Sequence, residues 1–235
     1  MALIPKGLDS SIGRKLVMAV TGLGLLGFVV GHLLGNLLVF AGPDAINAYA
    51  AGIKAKPLLL WTARAGLLAI LTGHVFMAFR LAIANRAAKG QGYETSHTNK
   101  ASIPSLVMLV SGLAILAFVA FHLLHFTAWK IGPDHDAYAR YEDAQGRHDV
   151  YRMVYTSFTD PQFGLLYTGL YVAAMVGLAF HLAHAGTSVL QTFGIDHKNI
   201  PPVALAVALA LSAGYVAIPV AIRLGCLPTP EVSHP

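Results

Sequence analysis

Five long apolar runs separated by short polar breaks set the plan of this chain. The first extends from about Leu16 to Ala41 and stops at Gly42-Pro43-Asp44, a strong helix breaker. The second covers about Pro57 to Asn85 and gives way to Arg86, Lys89 and a Gly-Gln-Gly loop. The third, about Pro104 to Ile131, stops at Gly132-Pro133-Asp134. The fourth covers about Pro161 to Phe193 and ends at Gly194. The fifth, about Pro201 to Leu224, carries Pro219 late in its length, where a kink is expected. Each run is long enough to cross a hydrocarbon core of about 30 Å as a helix. The expected fold is therefore an all-α membrane protein: one integral-membrane domain over residues 1–235, with five transmembrane helices.

The polar stretches refine this plan. Residues 1–15 form a short lead with Lys6, Arg14 and Lys15. The run behind it is too long for a signal-peptide core and lacks a small-residue cleavage site, so it is expected to be a retained helix. Residues 132–160, rich in Tyr, Asp and Arg, are too few for a domain and are expected to lie as short amphipathic helices over one membrane face. Five crossings put the termini on opposite sides. The basic residues divide evenly, with Lys6, Lys89 and Lys100 on the N-terminal side and Arg140, Arg147 and Arg152 on the other. The last three sit in the long segment, where the positive-inside rule is weaker, which favours a cytoplasmic N-terminus in a bacterial inner membrane.

Composition agrees with the pattern. The chain is 56% hydrophobic and 11% charged, with a mean hydropathy of +0.62; a soluble domain carries roughly 25% charged residues. A net charge of +5 spread through loops reads as membrane flanking and not as nucleic-acid binding. Cys226 is the only cysteine. That excludes an intramolecular disulfide, a cysteine-ligated iron–sulfur cluster and a thioether-bound haem.

The chemistry lies in histidines inside the apolar runs. Imidazole is costly to bury without a partner. His32 and His74 stand singly in runs one and two, while His122/His125 and His181/His184 form doublets in runs three and four. His32 and His122 each lie ten residues before their Gly-Pro-Asp stops, so they share a depth toward the outer side. His74 lies twelve residues before Arg86 and His181 thirteen before Gly194, on helices of the opposite direction, so they share a depth toward the inner side. The two layers are expected something like 10 Å apart along the normal. Two depth-matched pairs, each from two helices, suit two bis-histidine b haems, the first four helices forming a di-haem bundle. Gly35 beside His32, and Gly177 and Ala185 around His181, leave room for a porphyrin face, and Phe118 and Phe126 flank His122.

Other readings stand beside this one. A single intramembrane histidine often serves as an interhelical hydrogen-bonding residue. The series Gly27, Gly31, Gly35 is expected to be a helix-packing groove. Each doublet also has the spacing of a metal pair in a histidine-lined metal or proton transporter, but the runs hold no Asp or Glu to balance a divalent ion. His97, His135, His148, His197 and His234 are expected to be solvated. Arg14 and Lys15 on one side, and Trp129 and Lys130 on the other, are candidates for haem propionates or for interfacial anchors.

Four stretches in order carry a family resemblance: SSIGRKLVMAVTGLGLLGFVVGHLLGNLLVF, GHVFMAFR, FHLLHF and VYRMVYTSFTDPQFGLLYTGLYVAAMVGLAFHLAHAGTSVLQTFGI. The sequence resembles the single-chain, di-haem cytochrome b (b558-type) membrane anchor of succinate dehydrogenases and fumarate reductases. The resemblance covers nearly the whole chain except run five and the tail. It implies two b haems, with His32, His74, His122 and His181 as axial ligands. The His74/His181 haem would lie nearer the catalytic subunits and the His32/His122 haem farther away. In the family the fourth ligand falls twelve residues before an aromatic-Gly pair, here Phe193-Gly194, which selects His181 over His184. The resemblance further implies a flavoprotein subunit, an iron–sulfur subunit and a membrane quinone as partners, in an assembly of one or several protomers surrounded by lipid. This chain has neither a dinucleotide fingerprint nor a cysteine cluster, so those subunits would be separate chains. Some menaquinol-oxidising relatives carry a glutamate two residues before the fourth ligand; Ala179 stands there here, which favours succinate oxidation with menaquinone reduction. A di-haem cytochrome of a hydrogenase or formate dehydrogenase is the alternative of the same redox class.

Overall fold

The computed structural model describes residues 10–88 and 108–231. Lys6, Lys89, His97, Lys100, Pro104 and His234 lie outside the described residues. Among those described, seven α-helices follow one another: α1 (Ser11–Asn36), α2 (Pro43–Lys54), α3 (Pro57–Ala88), α4 (Met108–Phe126), α5 (Val150–Thr159), α6 (Gly164–Thr192) and α7 (Ile200–Arg223). Helices α1, α3, α4, α6 and α7 are long and apolar enough to cross a membrane. The molecule is an all-α, multi-pass membrane protein. Its outward side chains are apolar, with Leu58 83% exposed, as hydrocarbon surroundings require and water would penalise.

The breakers act where the pattern places them, with two differences. Helix α1 starts at Ser11, earlier than the apolar run, because the Ser10 hydroxyl caps it by accepting from the Gly13 N–H at 3.0 Å. Helix α4 ends at Phe126, before the expected Ile131. Wide turns close it there: the Ala128 N–H donates to the Leu123 carbonyl and the Lys130 N–H to the Leu124 carbonyl. Trp129 then takes a left-handed backbone, φ 51°. Pro219 lies within α7, which continues to Arg223.

Helices α1 and α3 pack together, α4 packs on α6, and α7 lies along α6 while also touching α1. Gly186 of α6 faces Ala204 of α7 so closely that an added Cβ would lie 3.0 Å from the Ala204 methyl. The Tyr215 hydroxyl donates to the Val29 carbonyl at 2.6 Å and ties α7 to α1.

Helix α2 falls where hydropathy marks only a polar break. Gly42 turns the chain with φ 102°, Pro43 starts the helix, and Asp44 and Lys54 sit at the ends that complement its dipole. With α5 it forms a cap over one end of the bundle. Val39, Ile46, Tyr151, Phe158, Ile222 and Leu227 share its apolar core. At its centre Asn47, 1% exposed, donates to Asp149 at 2.9 Å and accepts the Tyr151 N–H at 3.0 Å. Asp149 in turn caps α5 through the Arg152 N–H. Burial opposes ionisation of the neighbouring Asp143, but hydrogen bonds from the Arg147 main chain and guanidinium outweigh it and hold the carboxyl below its ordinary value. Asn47→Ala leaves the buried Tyr151 N–H without an acceptor. It should cost about 1–3 kcal/mol, read as a lower thermal midpoint of the detergent-solubilised protein.

Candidate haem-binding cavity

The helices form a partly open apolar cavity of about 2160 Å³, lined by His32, His74, His122 and His181 alike. It exceeds the roughly 300–1,000 Å³ of ordinary small-molecule sites. Lys15 lines one end, and Lys54 and Arg64 line the end beneath the cap; Arg14, Trp129 and Lys130 are not among its walls. Burial, then the Arg64 charge, lowers the pKa of the Lys54 ammonium.

The four imidazoles meet in two facing pairs. Nearer the cap, the rings of His32 (α1) and His122 (α4) have centres 5.8 Å apart. Toward the other end, those of His74 (α3) and His181 (α6) lie 6.5 Å apart. A metal–imidazole bond is about 2.0–2.1 Å and the ring centre lies about 1 Å behind the nitrogen, so two imidazoles on opposite faces of one metal hold their centres about 6–6.5 Å apart. Both pairs are close to that span. Among the described residues no group of three or more His, Cys, Asp or Glu side chains gathers to hold a metal ion. A protein-held divalent ion takes four or more ligands. Two facing imidazoles suit a metal that brings its own equatorial ligands, and porphyrin iron is such a metal.

Each pair has its own supports. His74 Nδ1 lies 3.1 Å from the Thr21 hydroxyl on α1, and His181 Nδ1 lies 3.4 Å from the Ser111 hydroxyl on α4. The glycines that follow those hydroxyls seat the rings: a Cβ on Gly22 would lie 3.5 Å from His74 Cε1, and one on Gly112 would lie 3.4 Å from His181 Cε1. In the cap-side pair, the Tyr171 hydroxyl stands between His122 Nδ1 at 3.2 Å and His125 Nδ1 at 3.1 Å. Phe28 stacks on His32, and Phe118 and Phe126 pack on His122.

The doublets separate. His122 lines the cavity, whereas His125 is fully buried outside it, stacked on Phe126 with ring centres 4.0 Å apart. Its Nε2 is buried without a partner. His181 and His184 both line the cavity, but only His181 faces His74.

Several details depart from the sequence expectations. His74 packs against Thr21, eleven residues from His32 on the same helix side, a rise of about 16 Å along α1 where something like 10 Å along the normal was expected. Gly35 lines the cavity and also makes room for Tyr49 of α2, since a Cβ there would lie 2.6 Å from the Tyr49 ring. Gly27 and Gly31 are not a packing groove: a Cβ on either would meet nothing within 4 Å, and Gly31 lines the cavity. His148 is half-buried and not fully solvated. It packs against Trp129 with ring centres 5.2 Å apart, and its Nε2 is buried without a partner; burial, then the Lys54 charge, lowers its pKa.

Thr21, Ser111 and Tyr171 are site residues that the histidine pattern does not pick out. For the first two a signal exists as an internal repeat of 90 residues. Val20-Thr21-Gly22-Leu23 returns as Val110-Ser111-Gly112-Leu113, and His32-Leu33-Leu34 returns as His122-Leu123-Leu124. No protein-family model, curated protein or solved structure matches this chain.

Proposed function

We propose that the chain is the membrane-anchor cytochrome b subunit of a succinate:quinone oxidoreductase, binding two b haems that supply reversible one-electron transfer between an iron–sulfur partner and membrane quinone. One observation carries this reading: two facing imidazole pairs, each without a third ligand among the described residues, line one apolar cavity. The family resemblance of the sequence supplies the enzyme, the flavoprotein and iron–sulfur partners, and menaquinone as the acceptor.

On this reading His32 and His122 would hold one iron, and His74 and His181 the other. His74, His122 and His181 would offer Nε2 while Nδ1 meets the hydroxyl of Thr21, Tyr171 or Ser111, which fixes ring orientation. The apolar walls exclude water and keep the local dielectric low. The basic side chains at the cavity ends, Lys15, Lys54 and Arg64, suit the carboxylates of a porphyrin edge. The N-terminus would face the cytoplasm, with the His74/His181 pair toward the soluble subunits.

The test is a reduced-minus-oxidised spectrum of the purified chain with pyridine haemochrome quantitation. Two b-type haems per chain are expected, and in the assembled complex succinate should reduce them. A chain purified without b-type absorbance would overturn the reading.

A further inference from the structure

The Thr21 and Ser111 hydroxyls have a direction built into them. A hydroxyl has one proton to give. That of Thr21 points at the Val17 carbonyl, 2.7 Å away and one turn back along α1. That of Ser111 points at the Met108 carbonyl at 3.0 Å on α4. With those protons committed, each oxygen faces its histidine as an acceptor. The Nδ1 of His74 and of His181 must then carry the hydrogen, and Nε2 is left with its lone pair.

The arrangement recurs. Two different helices bring a hydroxyl followed by glycine to the edge of an imidazole on a neighbouring helix, at positions the 90-residue repeat makes equivalent. Thr21 and His32, like Ser111 and His122, stand eleven residues apart, close to three whole turns, so they share a helix face. One face of each helix therefore serves both layers: a hydroxyl at one depth and an imidazole at the other.

We propose that Thr21 and Ser111 are positioning residues that lock His74 and His181 in the Nδ1–H tautomer and strengthen them as iron ligands, an inference that rests on the haem reading above. A hydroxyl already donating to a carbonyl is a better acceptor, because linked hydrogen bonds polarise one another. Drawing the Nδ1 proton outward makes Nε2 more basic, which favours ferric over ferrous iron. Neither hydroxyl touches the cap-side pair, whose His122 rests on Tyr171 instead. The effect should therefore be confined to one haem.

The experiment is a redox titration of the full-length purified protein with its haems, followed by low-temperature EPR of the oxidised form. Thr21→Val, which keeps the shape and deletes the hydroxyl acceptor, should raise the midpoint of one of the two haems. A threefold change in the oxidised-to-reduced ratio or more is expected, about 28 mV at 59 mV per tenfold for one electron. The ferric signal of that haem should shift as well, while the other haem stays unmoved. Ser111→Ala should act on the same haem, and Thr21→Ser should restore the original midpoint. If Thr21→Val does not retain haem, Ser111→Ala carries the test from the opposite ligand. Two haems with unaltered midpoints and signals in both variants would overturn the proposal, and so would an equal shift of both haems. Absence of b haem from the unsubstituted chain is a separate failure, that of the haem reading itself.

Discussion

His122→Ala is expected to halve the haem content of the purified chain, from two b haems to one. The imidazole it removes faces His32 with ring centres 5.8 Å apart, and among the described residues no third ligand joins the pair. His32→Ala should give the same result. Double variants test the pairing more sharply than single ones. His32→Ala with His122→Ala strips one site twice and should still leave one haem, whereas His32→Ala with His74→Ala should leave none. Pyridine haemochrome quantitation reads both. One haem in the cross-pair double variant would break the assignment. His125→Ala should retain both haems but lower thermal stability, because that ring is fully buried, stacked on Phe126 and hydrogen-bonded to Tyr171.

Filling the space beside the other pair should have a comparably large effect without touching a ligand. A Cβ on Gly22 or Gly112 would make ordinary contact with the His74 or His181 ring, at 3.5 and 3.4 Å, so both alanine variants should keep two haems. Leucine at either position adds three carbons where the ring now sits. The ring must move, and an imidazole tipped out of line no longer meets iron along its axis. Gly22→Leu and Gly112→Leu should each cost the His74/His181 haem alone. Combining Gly22→Leu with His32→Ala identifies the missing haem, since that chain should hold none. Retention of both haems in Gly22→Leu would show that the ring has slack that the packing does not suggest.

The membrane-spanning helices were legible because their signals are local. An apolar run and a Gly-Pro-Asp stop act within a few residues, and they put the spans within a few residues of α1, α3, α4, α6 and α7. The histidine pairs were legible for a related reason. In helices of alternating direction, distance from a breaker measures depth, and depth alone groups His32 with His122 and His74 with His181. Depth does not distinguish residues one turn apart. Neither doublet could be divided by it, and the rings that face their partners across the cavity are those of His122 and His181. The cap was harder still. Asn47 and Asp149 lie about a hundred residues apart in sequence, and neither looks unusual until α2 and α5 meet.

By itself, then, the sequence determined an all-α chain with five apolar helices, their order and approximate limits, and which imidazoles share a depth. Hydropathy, helix breakers and the rise per residue are properties of short stretches, and no tertiary contact is needed to read them. Only the tertiary structure decided which face of each helix turns toward the cavity. With it came the Thr21 and Ser111 contacts, the service of Gly35 to Tyr49, and the burial of His125 and His148. Rotation of a helix about its axis depends on what packs against it, such as Gly186 on Ala204 or Tyr215 on Val29, and those partners are distant in the chain.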